Sequence, residues 1–290
     1  MRLGVTFPQT EIGPDPDTIV RFAHIAEESG YDFIAAYDHV LGADTTDRPD
    51  WRGPYTLHSQ FHEIFLLFAY LAAHTTIELS SNVLVLPQRQ TALVAKQAAE
   101  IDVLTRGRFR LGVGIGWNDV EYQALGESFH DRGARYEEQI EVLRLLWTEE
   151  AVTFDGRFHT IEAAGILPRP VQQPIPVWLG GGASPRVLDR VGRLADGWLP
   201  ALGPGPELIA ALATVREAAA RAGRDPDAIG WQGGLAIPAD RDFDAVRRHV
   251  DAYRELGASH VTVITMNVGR SPNEHLDVIA EAGAALRAEL

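Results

Sequence analysis

An acid and an imidazole stand side by side where a hydrophobic stretch ends. The segment FIAAYDHVLG, residues 33–42, runs from residues of buried-strand type into Asp38 and His39, and then into small loop residues. An imidazole takes up or releases a proton near neutral pH, and a carboxylate beside it can orient it or stabilise its charged form. The pair therefore predicts an acid–base site, with a helix cap beside an uninvolved histidine as the alternative.

Three consecutive glycines form a second candidate site. They follow the strand-like stretch IPVWLGG and precede Pro185, a residue typical of the first position of a helix. One glycine suffices for a tight turn, whereas three leave backbone amides free at a helix N-terminus, where the helix dipole favours a phosphate. Arg186 would add a countercharge. The predicted phosphate-binding loop consists of Gly180, Gly181, Gly182, Ala183 and Ser184.

A polar interruption marks a third position. Ser80, Ser81 and Asn82 break the apolar run IELSSNVLVLP, where buried polar atoms require hydrogen-bond partners. The spacing favours a bulge or the mouth of a strand, and Val83 is small enough to pack under a flat ring.

The elements that must position these residues alternate between strands and helices. Asp15 and Pro16 indicate the start of a first helix, Gly30 indicates its end, and a last helix is predicted over residues 275–290. Eight strands with helices between them predict a (β/α)8 TIM barrel, and the chain length suits one such domain over residues 1–290. The strand-like runs are RLGVTFP, FIAAYD, IELSSNVLVLP, RFRLGVGIG, IPVWLGG, GWLPA, IGWQGGLAI and HVTVITM.

Two segments are longer than plain connections require. Residues 42–62 follow the second strand and predict a lid over the active site, and residues 150–173 precede the fifth strand. Within the latter, Asp155-Gly156 indicates a hairpin turn. A doubly wound sheet would require Gly-x-Gly-x-x-Gly, and LGVGIGWND lacks the third glycine. The predicted fold class is therefore α/β, a barrel with insertions after strand 2 and before strand 5.

The active site of such a barrel lies at the carboxyl ends of its strands. These ends include Asp38 and His39 and the glycine-rich loop, which places both candidate sites in the catalytic layer. The other residues predicted there are Phe7, Ser81, Asn82, Gly114, Gly116, Trp117, Asn118, Trp198 and the range 265–267.

Composition excludes several functions. The chain has no cysteine, which excludes disulfides, thiolate nucleophiles and cysteine-ligated zinc. Its only lysine, Lys96, follows Ala95 in a helical run, which excludes a P-loop and a Schiff-base lysine at a strand end. A net charge of -14 without a basic cluster argues against nucleic-acid binding. His58, His62 and Glu63 lack the spacing of a zinc site, so no metal is predicted.

No stretch of the sequence indicates a membrane span or a secretion signal. The first residues carry one basic side chain and no sustained apolar run, and no window approaches about 18 uncharged apolar residues. The expected location is the cytoplasm, and the expected partner is a small molecule.

The sequence resembles the luciferase-like flavin and deazaflavin oxidoreductases along nearly its whole length. The features that carry the resemblance are YDHV, SSNVLVLP, KQAAEIDVLTRGRFRLGVGIGW, FHDRGARYEEQIEVLRLLW, FDGRFHTI and LPRPVQQPIPVWLGGGASPRVLDRVGRLADGWLP. None of these motifs is specific by itself, but together they are. The chain looks most like the branch that uses coenzyme F420, a 5-deazaflavin.

This resemblance implies a role for each matching residue. His39 would lie near the deazaflavin C5 as proton donor or acceptor, and Asp38 would contact the ring or orient the imidazole. Asn82-Val83 matches a non-prolyl cis peptide that packs against the ring. Loop 180–184 would hold the phosphate. Further cofactor contacts are implied for Ser81, Gly114, Gly116, Trp117 and Asn118.

The implied activity is hydride transfer between F420 and an organic substrate. Family members that oxidise sugar phosphates hold the phosphate with lysines, which this chain lacks apart from Lys96. Trp51 and Tyr55 in the lid, with Phe7 and Trp198 at strand ends, predict an apolar or aromatic substrate pocket. An FMN-dependent monooxygenase of the same fold is the first alternative, and a non-catalytic flavin or deazaflavin carrier is the second.

A homodimer is also implied by the resemblance. The stretches EIFLLFAYLAAHT and TALVAKQAAEIDVL are too evenly apolar for outer barrel helices with a fully wet face, which supports a two-fold interface through these helices. Five residues of the first stretch cover more than one narrow stripe, so part of their surface is predicted to meet a partner: Ile64, Phe65, Leu67, Phe68 and Leu71. The alternative is that the segments 42–62 or 150–173 cover these helices within one chain.

Overall fold

Eight parallel strands close into a barrel in the computed structural model, which describes residues 1–287. All strands are numbered in chain order, and β4, β6 and β7, which are described below, are not among these eight. The eight strands are β1 (Arg2–Thr6), β2 (Phe33–Ala36), β3 (Glu78–Ser81), β5 (Phe109–Gly114), β8 (Val177–Gly181), β9 (Gly197–Pro200), β10 (Gly230–Ala236) and β11 (His260–Ile264). Around the barrel they follow the order β3, β2, β1, β11, β10, β9, β8, β5, and pairing between β3 and β5 closes it. The predicted (β/α)8 barrel is confirmed, and every strand falls within its predicted run.

Helices surround the barrel. They are α1 (Pro16–Glu28), α2 (Ile64–Ala72), α3 (Thr91–Leu104), α4 (Asp119–Ala124), α5 (Arg132–Thr148), α6 (Pro185–Leu194), α7 (Pro206–Arg221), α8 (Phe243–Glu255) and α9 (Pro272–Leu286). As predicted, Asp15 caps α1 by accepting a hydrogen bond from the Thr18 amide. Helix α9 begins earlier than predicted, and residues 288–290 of its predicted span lie outside the described residues. Within residues 1–287, none of the helices combines the length and apolar character needed to span a bilayer.

Side chains of the barrel strands alternate between the barrel interior and the surrounding helices. On β5, Arg110 and Gly114 face the interior, whereas Leu111 and Val113 are fully buried in the hydrophobic layer beneath the helices. Glycine at inward positions such as Gly114 leaves space near the carboxyl ends of the strands. This alternation decides which strand residues can reach a ligand.

Two additions extend the barrel. Segment 37–63 contains no helix or strand and connects β2 to α2. Buried Gln9 joins the two ends of this segment, because its amide nitrogen donates to the Tyr37 carbonyl and its oxygen accepts from the His62 amide. The other addition is an antiparallel hairpin between α5 and β8, formed by β6 (Val152–Asp155) and β7 (Thr160–Ala164). Its turn contains the predicted Asp155-Gly156 pair.

The apolar residues of α2 predicted to form an interface do not lie at the surface. All five of the predicted interface residues are buried within the chain: Ile64, Phe65, Leu67, Phe68 and Leu71. Helices α1 and α3 and strand β3 cover this face, so these five residues cannot contact a partner, while pairing through the rest of α2 and α3 stays a prediction. The large apolar residues of α2 that are exposed are Leu66 and Tyr70. The homodimer itself stays a prediction.

Candidate active site

A cavity of about 630 Å³ opens at the carboxyl ends of the barrel strands. It brings together residues from the loop after β2, from β5 and the short strand β4 (Leu84–Val85), and from the glycine-rich loop. The residues predicted for the site that line it are Asp38, His39, Tyr55, Asn82, Val83, Gly114, Gly116, Trp117, Gly180, Gly181 and Gly182.

Val83 forms one wall of the cavity. The peptide bond between Asn82 and Val83 is cis, as the resemblance implies. A Cβ atom at Gly114 or at Gly180 would lie 2.5 Å from a methyl carbon of Val83. Nonbonded carbons do not approach so closely, so both positions require glycine while Val83 stands between them. The branched side chain therefore lies between β5 and β8 and presents an apolar surface on which a planar ring can stack.

His39 lies at the mouth of the cavity beside a buried carboxylate. Its Nδ1 is 3.1 Å from Oε2 of Glu121, and the two side chains are 9% and 0% exposed. Glu121 belongs to α4, 82 residues further along the chain. Its oxygens also accept hydrogen bonds from the Gln88 side chain at 2.9 Å and from the amides of Val40 and Leu41. The carboxylate thus ties the segment that carries His39 to α4 and to the turn after β4 that carries Gln88.

This network fixes the tautomer of His39. Burial raises the pKa of Glu121, but hydrogen bonds from His39, Gln88 and Val40 and the charge of His39 outweigh it, so the pKa lies below its usual value. Because an ionised carboxylate only accepts hydrogen bonds, Nδ1 of His39 carries a proton. Within residues 1–287, Nε2 makes no hydrogen bond, and the ring lines the cavity. Nε2 is therefore the atom that can exchange a proton with a bound molecule.

Aromatic rings enclose His39 on the side of segment 37–63. The ring centroids of Phe61, Tyr55 and Trp117 lie 4.9, 5.1 and 5.4 Å from that of His39. Trp51 packs behind Trp117 at 5.5 Å, and its Nε1 donates to the Tyr55 carbonyl. Trp51 therefore supports the ring cluster without lining the cavity. The cluster keeps water away from most of the imidazole.

Asp38 has a different role from the orienting one that the resemblance implies. Its carboxylate accepts hydrogen bonds from Arg89 Nη2 at 2.7 Å and from the Val85 amide at 3.0 Å. Arg89 also bonds to Glu63 at 3.1 Å. Asp38 is thus a buried ion-pair partner that ties the end of β2 to β4. The carboxylate that orients His39 is Glu121.

Two residues predicted for the substrate pocket lie in the hydrophobic core. Phe7 is fully buried, and its ring packs edge-on against His62. Trp198 is also fully buried, with Nε1 donating to the Gly181 carbonyl. On β9 the neighbouring Leu199 lines the cavity, so strand alternation directs Trp198 away from it. The structure therefore corrects the assignment of Phe7 and Trp198.

Two other predicted cofactor contacts hold the framework of the site. The Ser81 hydroxyl is buried and donates to the Gly112 carbonyl at 2.7 Å. Asn118 caps α4 by accepting from the Glu121 amide at 3.3 Å, and its side chain donates to the Leu41 carbonyl. Neither residue lines the cavity, and Asn118 acts on the site by fixing Glu121.

The glycine-rich loop leads from β8 into α6. Ser184 is the N-cap residue, Pro185 opens the helix, and the Ser184 side chain makes no capping hydrogen bond. Ala183 is half-buried, while Ser184 and Arg186 are exposed. A Cβ atom at Gly182 would meet no other atom within 4 Å. The loop therefore leaves open space beside a helix N-terminus, a setting in which backbone amides bind phosphate.

Glu121, Gln232 and Thr262 are among the residues of the site that the sequence prediction missed. Glu121 stands three positions after Asn118, a spacing typical of a helix capping box, so the sequence favours a structural role for it. Gln232 and Thr262 line the inner end of the cavity. Gln232 could have been found in the sequence because it is a polar residue in a strand predicted to be buried, two positions before the cavity-lining Gly234.

Fold and cavity together define a (β/α)8 barrel with a carboxylate-bonded histidine at the carboxyl ends of its strands. The model of the luciferase-like monooxygenase family matches residues 1–288, and the chain belongs to this family. The resemblance seen in the sequence motifs is thereby confirmed.

Relatives agree with this assignment, and a solved structure shares the fold. An uncharacterised protein of Mycobacterium tuberculosis is 35% identical over 224 residues, 75% of this chain and 77% of that protein. An F420-dependent glucose-6-phosphate dehydrogenase of Gordonia bronchialis is 34% identical over 239 residues, 79% of this chain and 66% of that enzyme. The monooxygenase RslO1 from Streptomyces bottropensis has a TM-score of 0.79 at 21% identity, over 100% of this chain and 99% of its own. At this identity the last match shows the fold alone.

Proposed function

We propose that this protein is an oxidoreductase that transfers a hydride between coenzyme F420 and a small, apolar organic substrate. The observation that carries the proposal is His39, whose Nδ1 is held by Glu121 while Nε2 is left free at an apolar cavity. Relatives 30–34% identical to this chain are named F420-dependent glucose-6-phosphate dehydrogenases, which supports the choice of cofactor.

The residues present fit a deazaflavin. The apolar wall at Val83 suits a planar ring, and the open space at Gly182 beside the N-terminus of α6 suits a phosphate. When bound, the deazaflavin would supply the carbon that gives or takes the hydride. His39 would then exchange a proton at Nε2, and Glu121 would stabilise the imidazolium through Nδ1. The rings of Tyr55 and Trp117 would exclude water while this happens.

The chemistry of the cavity wall supports an uncharged substrate. Within residues 1–287, the side chains that line the cavity include no lysine or arginine, so no cation is available there for a substrate phosphate. Lys96 lies on α3, where its Nζ donates to the Leu167 carbonyl. The lining includes Tyr55, Trp117 and Leu199, which suits an apolar or aromatic carbonyl compound or activated alkene.

A second candidate function is an FMN-dependent monooxygenase. It is favoured by the family description itself, luciferase-like monooxygenase, which covers residues 1–288. A non-catalytic carrier would not require the carboxylate-held imidazole of His39.

Equilibrium titration of the purified protein with F420 and with FMN tests the proposal. We expect F420 to bind and FMN to bind much more weakly. Tight binding of FMN without binding of F420 would replace the proposed cofactor and favour the monooxygenase.

The glycine-rich loop allows a second test, in which Gly182→Asp adds a carboxylate where the phosphate is proposed. The fold should persist because the new Cβ atom meets open space. We expect the affinity for F420 to fall at least about tenfold through charge repulsion. The variant Gly182→Ser adds similar bulk without charge and should lose much less affinity. If both variants bind F420 like the wild type, the phosphate lies elsewhere.

A further inference from the structure

The cavity ends, deep in the barrel, on a polar floor. Gln232 and Thr262 lie at inward positions of β10 and β11, and both line the cavity. Gly234, two residues after Gln232, has no side chain and is exposed to the cavity, so it does not cover them. The Thr262 hydroxyl lies 3.2 Å from that of Thr6 on β1. The floor thus differs from the apolar wall at Val83 above it.

A buried cation lies beneath this floor. The Arg110 guanidinium is sandwiched between two rings, 4.7 Å from the Phe33 centroid and 4.2 Å from that of Trp178. Its Nε is 3.0 Å from a carboxylate oxygen of Glu78, while Nη1 has no hydrogen-bond partner within residues 1–287. Burial lowers the pKa of Arg110 to about 10, so the group stays charged at neutral pH. Glu78 also pairs with Arg2, so one carboxylate serves two arginines.

Arg110 decides which way the Gln232 amide points. Its Nη2 lies 3.4 Å from Oε1 of Gln232. Because a guanidinium has donors and no acceptor, the amide atom that faces it must be the oxygen. The amide nitrogen of Gln232, which makes no hydrogen bond within residues 1–287, then points away from Arg110 as a free donor. The excess positive charge below the floor strengthens this donor toward any oxygen that gains negative charge.

We propose that Gln232, oriented by Arg110, donates a hydrogen bond to a carbonyl oxygen on the inner edge of the cofactor ring and favours the reduced, more electron-rich ring. The inference rests on the proposed function. The ring would be the better occupant of the floor than the substrate, because a ring stacked on Val83 would lie next to the floor, whereas a substrate would enter and leave past His39 at the mouth. Arg110 acts through Gln232 and is a positioning residue.

Calorimetric titration with oxidised F420 and, without oxygen, with reduced F420 tests this inference. The variants are Gln232→Met, which removes the donor, and Gln232→Glu, which keeps an oxygen toward Arg110. We expect Gln232→Met to weaken binding of the oxidised form about fivefold and of the reduced form at least about tenfold, the usual effects of losing a neutral and a charge-assisted hydrogen bond. Gln232→Glu should bind the reduced form no better than Gln232→Met.

Gln172→Met is the matched control. Gln172 is bonded to Asp102 and to the Phe109 carbonyl and does not line the cavity, so its loss should leave both affinities unchanged. Wild-type affinities in a folded Gln232→Met variant would overturn the inference while the proposed function stands. Recovery of wild-type binding in Gln232→Glu would also overturn it, since pairing with Arg110 rather than donation would then matter. A wild-type protein that binds neither form of F420 would overturn both proposals.

Discussion

Two histidines lie among aromatic rings at opposite ends of the barrel, and their charged neighbours have opposite signs. His39 at the mouth is bonded through Nδ1 to the buried carboxylate of Glu121. His260 at the bottom packs edge-on against Phe33 and Trp178, with centroids 5.6 and 4.8 Å away. Burial, together with the positive charges of two arginines and the N-terminus, lowers the pKa of His260 to about 2.

The difference teaches that enclosure by rings does not by itself make a histidine catalytic. Both imidazoles are enclosed, but His260 faces the cations Arg110 and Arg2 and stays neutral across the physiological range. His39 instead bonds through Nδ1 to the carboxylate of Glu121, which leaves Nε2 free at the cavity. The sign of the neighbouring charge therefore distinguishes the histidine that is proposed to exchange protons from the one that only packs between rings.

The largest expected effect comes from removing the imidazole at the mouth. His39→Ala should lower turnover by about 10²- to 10⁴-fold, the usual contribution of a positioned acid or base. The affinity for F420 should stay within a few-fold of the wild type, because the proposed phosphate site lies on the loop before α6. Steady-state kinetics with an accepted substrate and cofactor titration measure the two effects. Unchanged turnover across pH 5 to 9 would make His39 a bystander.

A smaller effect should follow from changing the charge beside His39. Glu121→Gln removes the negative charge that holds the Nδ1 proton, and turnover should fall about 10- to 100-fold, as is typical of residues that orient a functional histidine. The pH dependence of kcat should shift as well, which a purely structural role would not cause. Glu121→Asp keeps a carboxylate and should recover part of the activity. A lower Tm with an unchanged pH profile would contradict the orienting role.

The smallest expected effect concerns stability at the other end of the barrel. The folded-state pKa of His260 is about 2, below the usual value of about 6.5, so below pH 6.5 the unfolded state binds a proton that the native state does not. This contribution to stability is present above pH 6.5 and is lost as the pH falls, by about 2 kcal/mol at pH 5. His260→Gln should remove that loss, whereas the exposed His249→Gln should not. Urea unfolding at pH 7.5 and 5.0 measures the difference, and equal losses in wild type and His260→Gln would contradict it.

The sequence predicts the barrel and the position of His39 because both depend on local patterns. Apolar runs identify strands, and a strand end identifies the layer in which His39 lies. The direction in which a side chain points is harder to predict from the sequence. It depends on which alternate residues of each strand face the barrel interior. Trp198 and Phe7 stand at or near strand ends like His39, but Trp198 points into the helix layer and Phe7 lies in the core.

Glu121 shows the other limit. Its contact with His39 joins positions 82 residues apart, and its place in the helix gives it an ordinary capping explanation. No local pattern distinguishes a glutamate that caps α4 from one that reaches across to the loop after β2. Only the closure of the barrel, which brings β5 and its following loop near β2, creates the pair.

The wall formed by Val83 has a consequence for how this site can evolve. Glycine at 114 and at 180 is required only while a branched side chain stands between them. A mutation of either glycine is therefore selected against as long as Val83 is present, and becomes accessible once that residue has become smaller. In descendants of this protein, substitutions in this wall should therefore occur first at position 83. Substitutions at positions 114 and 180 should follow only after that change.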